Sequence, residues 1–321
     1  MSKPVLFAGT RPYGRAENIS ALYDAYPGEK KILHVYGSNS HHEIRDKKGD
    51  VLVIDDFPTD SPGKCIMIWH GIQGGKYIGF DQPSPYLTEE RMSVVDYIIT
   101  PGHGSVWMWE QCCKFPKERI LPLGMPRTDA YIGKKKGDGH TFLADKIAYL
   151  YVPTFRWSPE PPLLNVDYEW LDKHLTDDEV FVVKAHVAGK RITERNYNHI
   201  VEISQDEPTA PYLYDCDVVI TDYSSIIFDG YLLGKPAVLF EKEPGYVDVR
   251  GMYMKYPDEY CSKFATNEED LLYKIRGEVY FPILGDVERK CMERVADMCD
   301  GHSCERIIKL INELNGGEQN G

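Results

Sequence analysis

Residues 217–240 restrict the fold more strongly than any other part of the chain. The β-branched run at 218–220 is typical of a parallel strand that is covered on both faces. A polar turn at 222–225 follows, and the apolar stretch behind it predicts a helix that ends at Gly234, where Pro236 prevents continuation. Another apolar strand comes next. A strand, a helix and a strand in this order predict a doubly wound α/β sheet.

Two serines in this turn are candidates for holding an anion. Ser224 or Ser225 stands at the predicted helix start, where a hydroxyl accepts a hydrogen bond from a backbone N–H group. The N–H groups and the positive end of the helix face the same point, which favours a bound phosphate. Taken alone, the turn fits an ordinary capped helix better, because hydroxyl caps are common. Other parts of the chain therefore decide between these two interpretations.

The alternation of strands and helices occupies both halves of the chain. In the first half, a predicted strand at 65–69 ends at His70. In the second half, a predicted strand at 180–186 ends with Lys184 and His186. Side chains at the carboxyl ends of strands face the ligand crevice in open α/β sheets. Both histidines are therefore candidates for a functional site.

The domain organisation follows from a polar stretch near the middle of the chain. Residues 133–146 are rich in glycine and lysine, which predicts a linker between two α/β halves. We therefore predict an N-terminal domain at 1–132 and a C-terminal domain at 147–321. The last helices of the chain are expected to be able to pack back onto the N-terminal domain.

The composition excludes some classes of function. Asp and Glu number 50 against 37 Lys and Arg, which gives a net charge of −13. This balance argues against nucleic-acid binding, which needs a basic surface. The 8 cysteines include no C-x-x-C pair, so a disulfide framework is not indicated and a reducing cytoplasm is the expected compartment. The sequence shows no signal peptide or membrane-spanning run, which predicts a soluble or peripheral protein.

One acidic motif deserves comparison with a metal site. Asp215–Cys216–Asp217 has the Asp-x-Asp form that some metal-dependent sugar transferases use. The motif precedes its strand, however, and so stands away from the carboxyl end where ligands bind. We interpret it as structural, and the sequence shows no zinc-ligand spacing and implies no metal.

Several segments together resemble the CDP-glycerol glycerophosphotransferase family, which makes teichoic-acid-like and capsule polymers. Their order and spacing cover the chain from about residue 70 to residue 240. The matching segments are Trp69–His70–Gly71 with Gly79–Phe80–Asp81, then 121–129 (LPLGMPRTD), 152–156 (VPTFR), Lys184–Ala185–His186 and 217–225 (DVVITDYSS). The resemblance implies the GT-B fold, in which two Rossmann-like doubly wound domains face a cleft. In that family the second domain holds the nucleotide and the first holds the acceptor.

The resemblance also implies a reaction and a set of site residues. CDP-glycerol would donate glycerol phosphate to an acceptor hydroxyl, and CMP would leave. His70 matches the family's catalytic base, and His186 matches a second family histidine placed at the diphosphate. The residues expected to bind the nucleotide donor are Ser224, Ser225, Asp222, Arg156, Arg127, Asp229 and Lys184. No cofactor is implied beyond this nucleotide donor.

Some of these residues have ordinary alternatives. Arg127 fits a surface ion pair equally well, and Asp229 fits a solvated helix face as readily as a ribose contact. Asp222 is expected to orient Ser225 or a histidine. The family usually has Lys-Pro-His-Pro where this chain has Lys184–Ala185–His186–Val187, which leaves the role of His186 open.

Two other functions compete with glycerophosphate transfer. One is a sialyltransferase-like GT-B enzyme that uses a CMP-sugar, and the other is a nucleotide-binding protein with reduced catalysis. The expected partners are a CDP-activated polyol donor and a polyol-phosphate or glycan acceptor, with no nucleic acid. The expected location is the cytoplasm, with peripheral attachment at the inner membrane face through a partner or a lipid-linked acceptor.

Overall fold

The structure is a computed structural model that divides into two compact units. One unit comprises Met1–Ile132 with Glu293–Gly321, and the other comprises Gly133–Met292. The residues it describes are 3–9, 17–34, 44, 49–80, 87–154, 166–185, 196–242 and 251–316. Within these residues, no helix is long and apolar enough to cross a bilayer.

The described residues of the first unit form a parallel sheet of six strands. Its strands are β1 (Val5–Gly9), β2 (Lys30–His34), β3 (Val51–Ile54), β4 (Lys64–Ile68), β5 (Tyr97–Thr100) and β6 (Ile120–Pro122). The spatial order is β2-β1-β3-β4-β5-β6, and every neighbouring pair is parallel. Because β4 pairs with β5 through Met67↔Ile98 and Ile68↔Ile99, the segments that follow these two strands leave the sheet side by side.

The second unit contains a parallel sheet of the same size. Its strands are β7 (Ile147–Tyr151), β8 (Glu179–Val183), β9 (Ile200–Glu202), β10 (Val218–Thr221), β11 (Ala237–Phe240) and β12 (Phe264–Ala265). The spatial order is β12-β11-β10-β7-β8-β9. All four residues of β10 are buried, as the β-branched run at 218–220 predicts for a strand covered on both faces.

The helices lie between the strands along the chain, except that the last three follow the final strand. They are α1 (Glu17–Ala25), α2 (Glu89–Val94), α3 (Tyr168–His174), α4 (Ala210–Asp215), α5 (Ile226–Leu232), α6 (Glu268–Tyr280), α7 (Asp286–Val295) and α8 (Ser303–Gly316). Short 3-10 turns lie at His103–Ser105, Lys117–Arg119 and Pro126–Tyr131. The predicted end of α5 is confirmed, because Gly234 follows it with a φ of +68°, the left-handed conformation that favours glycine after a helix.

The apolar cores lie on the faces of the two sheets. In the first unit, alternate strand residues such as Leu52 and Met67 pack with Trp109, which is 0% exposed. In the second, Ile220 and Phe181 pack with residues of α6. The sequence predicts an ordinary helix over 106–113, whereas the structure has a π-helix at Met108–Cys112.

The glycine- and lysine-rich stretch 133–146 is held within the second unit by one buried carboxylate. Asp215 Oδ1 accepts hydrogen bonds from Gly137 N–H (2.8 Å) and Gly139 N–H (3.0 Å). Its Oδ2 accepts from the N–H (2.8 Å) and hydroxyl (2.7 Å) of Thr141. Burial opposes the charge of Asp215, but these hydrogen bonds prevail and lower its pKa. Asp215 thus serves the fold, as its position before β10 predicts.

Candidate functional site

His70 stands just beyond the carboxyl end of β4. The residue is exposed, and its ring lies on Trp69 with centroids 4.4 Å apart and planes inclined by 33°. Trp69 in turn packs against Phe57 and Trp109, with ring centroids 5.3 Å and 6.0 Å away. The imidazole therefore rests on an aromatic group that is anchored in the core of the first unit.

The backbone around His70 is clamped by Asn18 and Arg127. Asn18 Nδ2 donates to the Trp69 carbonyl (2.9 Å), and Asn18 Oδ1 accepts from Arg127 N–H (3.2 Å). Arg127 Nη1 donates to the His70 carbonyl (2.6 Å), and its Nε lies 3.8 Å from Glu17 Oε2. The Arg127 side chain is only 7% exposed, so it is not a surface ion pair. In this structure Arg127 positions His70, and its predicted contact with phosphate stays a prediction.

The glycine-rich loop after His70 makes a close contact that only glycine allows. A Cβ atom on Gly79 would lie 2.4 Å from the Cys112 carbonyl oxygen, at the end of the π-helix. The neighbouring Phe80 N–H donates to the same oxygen (2.7 Å). The loop is thus fixed at both ends, by the clamp at His70 and by the π-helix at Gly79.

Gln73 lies in this loop and has an unusual environment. Its side chain is 5% exposed, and neither amide atom has a hydrogen-bond partner among the described residues. A buried amide with unmade hydrogen bonds is costly, because it has lost its water and gained nothing in exchange. Its backbone is firmly placed, since Ser105 Oγ donates to the Gln73 carbonyl (3.1 Å).

In the second unit, Asp222 joins the carboxyl ends of two neighbouring strands. It follows β10 and is 1% exposed. Its Oδ1 accepts from the N–H groups of Thr154 (2.8 Å), which lies beyond β7, and of Tyr223 (2.5 Å). These contacts shape the turn that carries the two serines. The predicted role of Asp222 in orienting Ser225 or a histidine stays a prediction.

Ser224 and Ser225 are half-buried and lie between β10 and α5. Ser225 occupies the N-cap position, but its side chain makes no capping hydrogen bond. Ser224 Oγ instead accepts weakly from Ile226 N–H (3.4 Å). Both hydroxyls stand at the carboxyl end of a central strand, where ligands of open α/β sheets bind.

Two further candidates of the second unit are buried. Lys184 is 7% exposed, and its Nζ donates to the carbonyls of Ser204 (3.0 Å) and Glu207 (2.7 Å). Asp229, in α5, is 1% exposed, so it does not stand on a solvated helix face. Contacts of Lys184 with phosphate and of Asp229 with ribose stay predictions. His186 and Arg156 lie outside the described residues.

Tyrosines line the same edge of the second sheet. The Tyr256 hydroxyl lies 3.5 Å from the Asp222 carbonyl oxygen, and its ring packs on Tyr223 with centroids 4.7 Å apart. Burial, reinforced by the carboxylates of Glu241 and Asp222, raises the pKa of Tyr256 well above its usual range. Tyr256 therefore remains a neutral hydroxyl near the serine turn at ordinary pH.

The described residues contain no group of three or more His, Cys, Asp or Glu side chains placed to hold a metal ion. Both carboxylates of the Asp-x-Asp motif are engaged by the protein. Asp215 holds 133–146, and Asp217 Oδ2 accepts from Lys136 Nζ (2.5 Å) and Ala148 N–H (2.8 Å).

Sequence reasoning missed Asn18 and Gln73. Asn18 is 109 residues from Arg127 along the chain, and only the packing of α1 against Pro126–Tyr131 brings them together. For Gln73 the available signal is its position, because it lies three residues beyond the histidine at the end of a strand.

Comparison with known proteins gives consistent matches. The family model described as CDP-glycerol:poly(glycerophosphate) glycerophosphotransferase matches residues 50–313. The teichoic acid poly(ribitol-phosphate) polymerase of Bacillus spizizenii is 25% identical over 307 residues, which cover 84% of this chain and 49% of that protein. The teichoic acid glycerol-phosphate primase of Bacillus subtilis is 24% identical over 265 residues, which cover 78% of this chain and 68% of that protein. The chain thus spans about half the length of the first relative.

Solved structures show the same fold. The wall teichoic acid polymerase TagF superposes with a TM-score of 0.79 at 20% identity, over 99% of this chain and 90% of that chain. The Staphylococcus aureus MnaA–UDP structure superposes with a TM-score of 0.60 at 16% identity, over 97% of this chain and 96% of that chain. The predicted fold class is confirmed: the chain has a GT-B-like fold with two Rossmann-like parallel sheets.

Proposed function

The chain belongs to the CDP-glycerol:poly(glycerophosphate) glycerophosphotransferase family, and from this we propose that it transfers glycerol phosphate, or a related polyol phosphate, from a CDP-activated donor to an acceptor hydroxyl. CMP is the leaving group. The observation that carries the proposal is His70, which stands exposed at the end of β4 on a backbone that Asn18 and Arg127 fix. The relatives named above act on teichoic acid, so a cell-wall polymer is the acceptor class that we propose.

The chemistry needs a base and charge stabilisation. The acceptor hydroxyl attacks the phosphorus of the glycerol phosphate group, its proton passes to His70, and the bond from that phosphorus to the CMP oxygen breaks. Such phosphoryl transfer depends mainly on positioning and on neutralisation of the phosphate oxygens. The hydrogen bonds from Asn18 and Arg127 contribute to this positioning, because they hold the backbone that carries His70.

The donor side of the proposal rests on the second unit. Ser224 and Ser225 would donate hydroxyl hydrogen bonds to the diphosphate, and Asp222 fixes the turn on which they stand. His186 and Arg156 are proposed to bind the diphosphate, on the basis of the family resemblance alone. Lys184 and Arg127 are proposed as positioning residues, because each cation already donates to backbone carbonyls.

The setting of the reaction is also a proposal. We place the enzyme in the cytoplasm, where the CDP-activated donor would be available, with its acceptor at the inner membrane face. A lipid-linked acceptor or a protein partner would supply the membrane contact. No cofactor is proposed beyond the nucleotide donor.

A donor panel tests this function. The purified protein is incubated with CDP-glycerol, CDP-ribitol or CMP-sialic acid and a glycerol-phosphate acceptor, and both CMP and the mass of the acceptor are measured. We expect CMP release from a CDP-polyol, matched by an equal gain of polyol phosphate on the acceptor. Release from CMP-sialic acid alone would identify a sialyltransferase-like enzyme, and CDP binding without any turnover would identify a binding protein.

Variants of the serine turn test the donor site separately. Ser224→Ala combined with Ser225→Ala should weaken CDP-glycerol binding by at least about 100-fold, since each lost hydrogen bond to a charged group contributes about 1.5–3 kcal/mol net of water. Ser303→Ala changes a buried serine of the first unit and serves as the control. Unchanged affinity in the double variant would refute the serine contacts with the diphosphate.

A further inference from the structure

A second histidine stands at the edge of the first sheet where His70 lies. His103 follows β5, the strand that pairs with β4, and its side chain is 66% exposed. Its Nδ1 lies 2.8 Å from Asp297 Oδ2, and its backbone N–H donates to Asp297 Oδ1 (2.8 Å). The imidazole is thus exposed to solvent and yet held in one orientation by a carboxylate.

The carboxylate defines which ring nitrogen carries the proton. An ionised carboxylate can only accept hydrogen bonds, so Nδ1 carries the hydrogen and donates it to Asp297. Nε2 of the neutral ring then has a lone pair that can accept a hydrogen bond. A carboxylate, an imidazole and a hydroxyl aligned in this way are a recurrent arrangement for binding or polarising a hydroxyl group.

The surrounding backbone is built closely around this pair. A Cβ atom on Gly102 would lie 2.1 Å from Asp297 Oδ1, so the residue before His103 must be glycine for the carboxylate to approach. The Met298 N–H donates to the Pro101 carbonyl (3.2 Å) and joins the backbone after Asp297 to the backbone before His103. Asp297 also accepts from the backbone N–H of His103, so a variant that replaces only the imidazole keeps one of its two contacts.

The pair is tied to the loop that carries His70. Ser105, in the same 3-10 turn as His103, is 0% exposed and donates to the Gln73 carbonyl (3.1 Å). Gln73 is three residues beyond His70. Two imidazoles therefore stand on adjoining segments of the first unit, and a buried hydroxyl links those segments.

We infer that His103, oriented by Asp297, binds a hydroxyl group of the acceptor polyol beside His70. This inference deepens the proposed function, on which it rests, by assigning an acceptor contact to the first unit. The chemical class of the ligand is a polyhydroxyl chain, such as the terminal glycerol unit of a glycerol-phosphate oligomer. His103 is a binding residue in this account, and His70 remains the base.

The chain offers a matched control for His103. His302 has the same 66% exposure, and its Nδ1 lies 3.3 Å from Glu305 Oε2. It stands at the start of α8 and not beyond a strand. His103→Gln and His302→Gln therefore remove similar imidazole–carboxylate pairs from two places, and only the first should affect acceptor binding.

The experiment is a calorimetric titration with a short glycerol-phosphate oligomer, which needs no turnover. We expect His103→Gln to weaken oligomer binding by about tenfold, the effect of one lost hydrogen bond, and His302→Gln to match the wild type. Asp297→Asn should weaken binding in the same direction, since it no longer holds the Nδ1 proton. In the assay of CMP release, His103→Gln should raise the KM for the acceptor and leave the KM for CDP-glycerol unchanged.

The outcomes separate this inference from the proposed function. Equal affinity of wild type and His103→Gln, an equal loss in His302→Gln, or a wild type that does not bind the oligomer would each overturn the acceptor contact. A wild type that binds the oligomer through His103 and releases no CMP from any CDP-polyol would refute the transferase and support the contact.

Discussion

Similar substitutions of two buried amides beside His70 should have opposite effects on the free energy of unfolding. Asn18 is 2% exposed and uses both amide atoms, one on the Trp69 carbonyl and one on Arg127 N–H. Gln73 is 5% exposed, and the described residues offer neither of its amide atoms a partner. Asn18→Leu and Gln73→Met each replace the amide with an apolar group of similar size.

The expected magnitudes follow from the hydrogen bonds. Asn18→Leu removes the hydrogen bonds that Asn18 makes to the Trp69 carbonyl and to Arg127 N–H, and each buried group that loses its bond costs about 1–3 kcal/mol, so the free energy of unfolding should fall by about 2–6 kcal/mol. Gln73→Met removes an amide that makes no bonds, so the free energy of unfolding should stay constant or rise by about 1–2 kcal/mol.

Thermal melting and denaturant titration of the full chain measure both effects. For a unit of this size, about 1 kcal/mol corresponds to roughly 2–4 °C in melting temperature. Asn18→Leu should also lower kcat, because it releases the backbone that aims His70, while the affinity for CDP stays constant. A melting temperature that falls as far in Gln73→Met as in Asn18→Leu would refute this account of the loop.

Two further predictions concern stability. Burial opposes the charge of Glu179, but hydrogen bonds from Arg276 and Tyr149 prevail and lower its pKa from 4.5 to about 2. This stabilisation is present above pH 4.5 and is lost as the pH falls toward 2. The difference in the free energy of unfolding between wild type and Glu179→Gln should therefore shrink by about 3 kcal/mol over that window, as measured by denaturant unfolding at each pH. A difference that stays constant with pH would contradict the lowered pKa of Glu179. Gly79→Ala should destabilise the chain by about 1–3 kcal/mol, because the new methyl meets the Cys112 carbonyl. The control Gly277→Ala is at an exposed position of α6, where the added Cβ would meet no atom within 4 Å apart from the helix's own nearby backbone. It should stabilise the chain by about 0.5–1 kcal/mol, and equal melting temperatures of the two variants would refute the close contact at Gly79.

Sequence alone predicted the sheets well, for a physical reason. A strand covered on both faces must be apolar throughout, so the apolar run at 218–220 predicted a buried strand. Gly234 and Pro236 supported this prediction, because they marked the end of the helix that follows the strand. The positions at strand ends followed from the same logic, which is why His70 could be placed beyond β4 before its surroundings were known.

The surroundings of the site could not be predicted in this way. The clamp at His70 joins Asn18 to Arg127, which are 109 residues apart along the chain. The separate contact between His103 and Asp297 joins residues that are 194 apart. Such contacts depend on tertiary packing and leave no local pattern. Arg127 illustrates the difficulty, because the sequence does not distinguish an arginine that donates to a backbone carbonyl from one that binds a phosphate.

Local hydrogen bonding also departed from simple rules. Ser225 occupies the predicted N-cap position, but its hydroxyl does not cap the helix, and Ser224 makes the weaker bond instead. The N-cap residue has φ −65° and ψ −8°, a helical conformation, whereas a capping hydroxyl usually belongs to an extended residue.

The most direct test of the proposed mechanism is the rate of CMP release by His70→Ala, measured with saturating CDP-glycerol and a glycerol-phosphate acceptor. The variant should release CMP at least about 100-fold more slowly than the wild type, the usual contribution of a positioned base, and should bind CDP with unchanged affinity. A variant that retains the wild-type rate would remove His70 from the reaction and contradict the account.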